Sequence, residues 1–168
     1  MSTIFPYQIL REATPAAIAR DPKALQQAGR YLKDLAEHAA QRGDRFFPPL
    51  RENVPLDTLV APTVRVTDDG LRARVYREQD TGATLIDVFE GHGIEQHVRT
   101  IEIGRDGKPF GKVVDRSLGD DAMSVRGISE EDKEIIAAAA VGSLSTGGRV
   151  YPGYSVQDLY GGKNPFKQ

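Results

Sequence analysis

With 168 residues, 39% of them hydrophobic and 27% charged, the chain has the composition of a folded protein and the length of one domain rather than two. A formal charge of −2 excludes a general electrostatic pull toward nucleic acid or anionic lipid. The absence of cysteine excludes disulfides and thiolate metal sites, and no apolar run is long enough to span a bilayer, so a soluble cytoplasmic protein is expected.

Residues 1–13 read as an N-terminal arm. Thr14 followed by Pro15 is a helix start, because the hydroxyl can accept from a free amide and proline at the first helical position has no amide to leave unpaired. A short helix over 15–20 follows. Asp21 and Pro22 repeat the signal, and Leu25, Ala28, Leu32, Leu35, Ala36 and Ala39 recur at three- and four-residue steps as far as Gly43. That spacing predicts a helix near 22–42 whose other face, with Gln26, Arg30, Lys33, Glu37 and Gln41, meets water. Residues 44–62 hold Pro48, Pro49, Pro55 and Pro62 and read as an extended connector, pinned to the core by Phe46 and Phe47.

From Thr63 the period changes to two. Val64 and Val66 alternate with Arg65 and Thr67. Asp69 and Gly70 supply a hairpin turn, and Leu71, Ala73 and Val75 alternate with Arg72, Arg74 and Tyr76. The expectation is a hairpin with one wet, basic face. Ala83 to Phe89, Ile94 to Ile103 and the run from Phe110 to Val114 complete five strands joined by short turns, an antiparallel meander. Ser129 followed three residues later by Asp132 resembles a capping box, with Glu130 and Glu131 in the first turn. The helix it opens, about 130–145, is apolar on nearly every side, as Ile135, Ile136, Ala137 to Ala140 and Val141 show. It is either the central core helix or a subunit contact.

Few residues suggest chemistry. Asp87, Glu90, His92, Glu95 and His97 crowd one hairpin, but the spacing fits no zinc pattern, and Gly91 with Gly93 marks His92 as a turn residue. Gly107, Gly111 and Lys112 lack the spacing of a phosphate loop, and no nucleophile elbow is present. No catalytic residue, metal site or cofactor is assigned. Arg65, Arg72, Arg74 and Tyr76 share a sheet face and form the minimal recipe for gripping single-stranded nucleic acid. The segment from Thr63 to Arg116 nevertheless holds nine basic and ten acidic residues, which can pair across strands.

Six of the twelve aromatic residues lie at the chain ends: Phe5, Tyr7, Tyr151, Tyr154, Tyr160 and Phe166. Ends carrying that much apolar area are expected to dock, on their own domain or on another chain. Tyr151, Tyr154, Leu159, Tyr160 and Phe166, on a C-terminal arm of 149–168, are the expected partner-binding residues.

The expected fold is α+β. A five-stranded antiparallel meander, as a curved sheet or small barrel, packs with two main helices inside a domain of 1–148, with extended arms at both termini. The expected function is that of a non-enzymatic adaptor, inhibitor or structural subunit, working by protein contacts or self-association through its arms and the alanine-rich helix. A nucleic-acid-binding accessory protein using the arginine face is the first alternative. An enzyme assembled from carboxylates and the hairpin histidines is the second.

Overall fold

A computed structural model describes residues 8–41, 54–55, 64–67, 69–78, 81–90, 94–105, 108–116, 124–145, 151–154 and 166. The elements are α1 (Ile9–Glu12), α2 (Pro15–Arg20), α3 (Pro22–Gln41), β1 (Val54–Pro55), β2 (Val64–Arg65), β3 (Arg72–Glu78), β4 (Thr84–Glu90), β5 (Ile94–Arg105), β6 (Lys108–Asp115), β7 (Ser124–Arg126), α4 (Glu130–Ser145) and β8 (Tyr151–Tyr154). Among these residues no helix is long and apolar enough to cross a membrane.

The five predicted strands are β2 to β6. They run antiparallel as a meander, β7 extends the series, and β1 pairs with β5 while β8 pairs with β3. The class is α+β, and the sheet is open rather than closed into a barrel. At the β2–β3 turn Gly70 has φ of +100°, a conformation a side chain would strain, and Val66 N–H donates to the Leu71 carbonyl at 2.8 Å.

The helices start where side chains can satisfy their free amides. Thr14 Oγ1 accepts from Ala17 N at 3.2 Å, and Asp21 Oδ1 accepts from Lys23 N at 3.1 Å. At α4 the capping box is reciprocal: Ser129 Oγ accepts from Asp132 N at 3.2 Å, and Asp132 Oδ2 accepts from Ser129 N at 2.9 Å. Helix α3 buries Leu25, Ala28 and Leu32 as its spacing requires, with Arg30 exposed on the other side.

One hydrophobic cluster joins these helices to Ala73, Val75, Ile86, Val88, Ile101, Ile103 and Val113 of the sheet. Ile135 to Ala140 of α4 are all buried in it, and α4 packs against both α2 and α3. The alanine-rich surface therefore serves this chain's own core and is not left as a subunit contact. Small side chains there let three helices approach over one sheet face.

Four elements, α1, β1, β7 and β8, were not anticipated. Within the segment read as an N-terminal arm, α1 forms a single helical turn and buries Leu10. Strand β7 is only three residues long, too short for alternation to register. Strand β8 contains Pro152 and Gly153, which argue against a strand in sequence but are tolerated where the pairing is at an edge. Of the proline-rich connector only β1 is described; Phe46 and Phe47 lie outside the described residues, as do Phe5, Tyr7 and Gly43.

Gly111 is set by a close approach. A Cβ there would lie 1.9 Å from Glu102 Oε1 and 2.6 Å from Glu102 Cδ. Gly111→Ala must swing this buried carboxylate away from the Lys112 amide, which now donates to it at 3.3 Å. A loss of about 1–3 kcal/mol is expected in urea unfolding, and an unchanged midpoint would show that Glu102 relocates freely.

Candidate functional site: a buried polar layer on the sheet

In an antiparallel pair, directly opposite residues share a face. The register sets Arg72 opposite Phe89 and Phe89 opposite His97. Arg74 lies opposite Asp87, which lies opposite Thr100, and Tyr76 lies opposite Leu85, which lies opposite Glu102. These rows occupy the face away from the hydrophobic cluster, since Val75, Ile86, Ile101 and Val113 align in the intervening row. A register shift between Val88 and Phe89 keeps His97 on the polar face.

This face is where the wet, basic surface was expected. It is buried instead: Arg74 is 1% exposed, Tyr76 0%, Asp87 0% and His97 3%. Strict alternation shows that the face is opposite the helices; it does not show that the face meets water.

The side chains form a directed chain of hydrogen bonds. Arg116 Nη1 lies 2.9 Å from His97 Nδ1 and can only donate, so Nδ1 accepts and the ring carries its proton on Nε2. Nε2–H then donates to Thr100 Oγ1 at 2.8 Å, and Thr100 Oγ1 donates to Asp87 Oδ1 at 2.9 Å. Tyr76 OH donates to the same oxygen at 2.9 Å. His97 Nε2 stands 3.8 Å from Asp87 Oδ1, closer to Thr100 than to the carboxylate. The Arg74 guanidinium lies 5.3 Å from the centre of the Phe89 ring, and Phe89 and His97 are 5.4 Å apart. Chemically the arrangement holds a neutral imidazole in one tautomer, with its single ring proton committed to Thr100 and Thr100 in turn to Asp87. Both ring nitrogens are engaged by protein groups.

The remaining predicted positions divide. Arg65 is exposed and its Nε donates to the Thr67 carbonyl, while Arg72 is half-buried. With Arg74 and Tyr76 buried and the Tyr76 hydroxyl engaged, the four do not form the exposed stacking surface that single-stranded nucleic acid needs. Of the hairpin cluster the structure brings Asp87 and His97 together and leaves Glu90 exposed; His92 and the Glu95 side chain lie outside the described residues. Among the described residues no three His, Asp or Glu side chains converge as a metal site.

At the C-terminal end, Tyr151 pairs with Tyr76 and Tyr154 with Glu78 in parallel register, so backbone 151–154 lies along β3 of the same chain. Phe166 is fully buried, and Lys112 Nζ sits 5.9 Å from its ring centre. Leu159 and Tyr160 lie outside the described residues.

A second polar cluster ties the sheet to α4 and was missed in the sequence. Asp132, 0% exposed, takes Arg99 Nη1 on Oδ1 at 2.9 Å and Arg126 Nη1 on Oδ2. Arg126 also reaches Asp115 at 3.0 Å, and Arg99 reaches Glu131 at 2.7 Å. Burial pushes the Asp132 carboxyl up, but the Arg126 hydrogen bond, the Ser129 amide and hydroxyl, and the Arg126 charge together bring it below its ordinary value. Arg126 is correspondingly raised, first by its hydrogen bond to Asp132. The capping signature pointed to Asp132; nothing local pointed to its arginines, which lie six and thirty-three residues away.

Compared with known proteins, the chain matches no family model, no curated protein and no solved structure.

Proposed function

We propose that this chain is a non-enzymatic protein-interaction protein, a small adaptor or structural subunit, and that its C-terminal residues are the contact element. The observation that carries this reading is the parallel pairing of β8 with β3. It joins sequence-remote segments at a sheet edge through main-chain groups, without a hairpin, which is the geometry of strand addition. The same groups can be paired by segment 151–154 of a second copy, giving an exchanged dimer. Burial of Phe166 supplies an aromatic anchor beyond the strand. Tyr151, Tyr154, Leu159, Tyr160 and Phe166 form the proposed contact.

The test is the solution mass of the full chain and of residues 1–148, measured across a concentration series with the melting temperature of each. The full chain is expected to self-associate, and the shortened chain to stay folded and monomeric. A full chain that is monomeric throughout, beside a shortened chain that is unfolded, would reduce the segment to completing its own core.

A second reading, an enzyme built on a carboxylate and a hairpin histidine, is favoured by the approach of His97 to Asp87. It is the weaker of the two, because the ring nitrogens and Asp87 Oδ1 already hold protein partners.

A further inference from the structure

A groove runs between α3 and the end of the β5–β6 hairpin and continues toward the start of α4. It consists of two hollows of about 200 Å³ and about 530 Å³ that share Gln26 and Pro109. The open part of its floor is apolar, with exposed Pro109 and half-buried Phe110 from β6, over Leu25 of α3 and Ile103 of β5 buried beneath. Gly29 allows the helix to come this close: a Cβ there would lie 3.2 Å from Phe110 Cε1 and 3.3 Å from Ile103 Cγ2. Gly104, at φ of +60°, is crossed by the aliphatic stem of Lys33, whose Cδ would stand 3.2 Å from a Cβ at that position.

The rim is positive. Arg20, Arg30, Lys33 and Lys133 line the groove, and among the described residues Glu130 is the one acidic lining residue. Glu130 pairs with Lys133 at 3.0 Å. Arg20, Arg30 and Lys33 make no hydrogen bond or ion pair with any described residue. In a chain whose formal charge is −2, this is a local reversal of sign, standing over apolar surface that a ligand can cover.

We infer that this groove docks an acidic segment of a partner protein, with aliphatic side chains on the floor and carboxylates against Arg20, Arg30 and Lys33. Charge complementarity identifies the partner's sign, and the aliphatic and proline floor identifies it as a peptide. A nucleic-acid strand would need a longer run of cations and open ring faces on which bases stack. The inference does not depend on the C-terminal strand.

The probe is a fluorescent peptide alternating glutamate with leucine, titrated with the full chain and followed by anisotropy. A lysine–leucine peptide and a labelled oligothymidylate are titrated in parallel. The glutamate peptide is expected to bind with an affinity that falls as salt rises. Arg30→Glu with Lys33→Glu should weaken it at least about tenfold. Arg20→Glu with Arg30→Glu leaves the Lys33 stem on Gly104 undisturbed and should do the same, with the circular dichroism of the wild type. Absence of binding at low salt, indifference to both charge reversals, or binding of the oligothymidylate in place of the acidic peptide would each overturn the inference. Self-association through β8 is read by mass, so either proposal can fail while the other stands.

Discussion

Replacing Asp132 by alanine is expected to lower the stability of this protein by about 3–5 kcal/mol, the range found when one member of a buried ion pair is removed. The carboxylate is the common acceptor for Arg99, Arg126 and the Ser129 amide, so its loss leaves Arg99, itself only 8% exposed, with Glu131 alone, and removes one half of the α4 capping box. Urea unfolding should show a shifted midpoint with an unchanged slope. Asp132→Asn, which keeps an acceptor for the cap, should cost less. A loss under about 1 kcal/mol for the alanine variant would mean that Glu131 and Asp115 suffice for the two arginines.

The same carboxylate sets a pH dependence. Its folded value lies below the ordinary 3.8, so its contribution is complete above the unfolded value and disappears as pH falls through the folded one. Wild-type stability should therefore drop more steeply below about pH 4 than that of Asp132→Asn. Parallel curves for the two proteins would remove Asp132 as the cause.

Asp87→Ala carries the second large expectation, a loss of about 2–4 kcal/mol. Tyr76 and Thr100, both fully buried, each lose an acceptor, and the chain from Arg116 through His97 loses its end. Combining it with Thr100→Val should give a double-mutant coupling of about 0.5–3 kcal/mol if the network acts as a unit. The result also separates the two functional readings. A carboxylate kept for catalysis is a strained, costly group, and its removal commonly stabilises a protein. A more stable Asp87→Ala protein would favour the enzyme, whereas the expected loss identifies the layer as structure.

Much of the scaffold was legible in advance because its signals are local. The three- and four-residue steps from Leu25 to Ala36, the alternation from Val64 to Tyr76, the Asp69–Gly70 turn and the Ser129–Asp132 cap each act within a few residues, and each forms the predicted element. The strands too short to show a period, β1 and β7, were not legible; neither was β8, whose Pro152 and Gly153 carry the wrong propensities. These strands form because an edge offers unpaired main-chain groups, a property of the partner strand and not of their own residues.

The polar site shows the same division more sharply. Alternation placed Arg72, Arg74 and Tyr76 on one face and Leu71, Ala73 and Val75 on the other, and the strand register then set Asp87 and Thr100 beside Arg74. Only the tertiary structure decided that the polar face is buried, that His97 enters it through a register shift, and that the alanine-rich α4 is core. Periodicity reports the direction in which a side chain leaves its own strand or helix. What stands opposite it is set by contacts between segments far apart in the chain, and no local pattern carries that information.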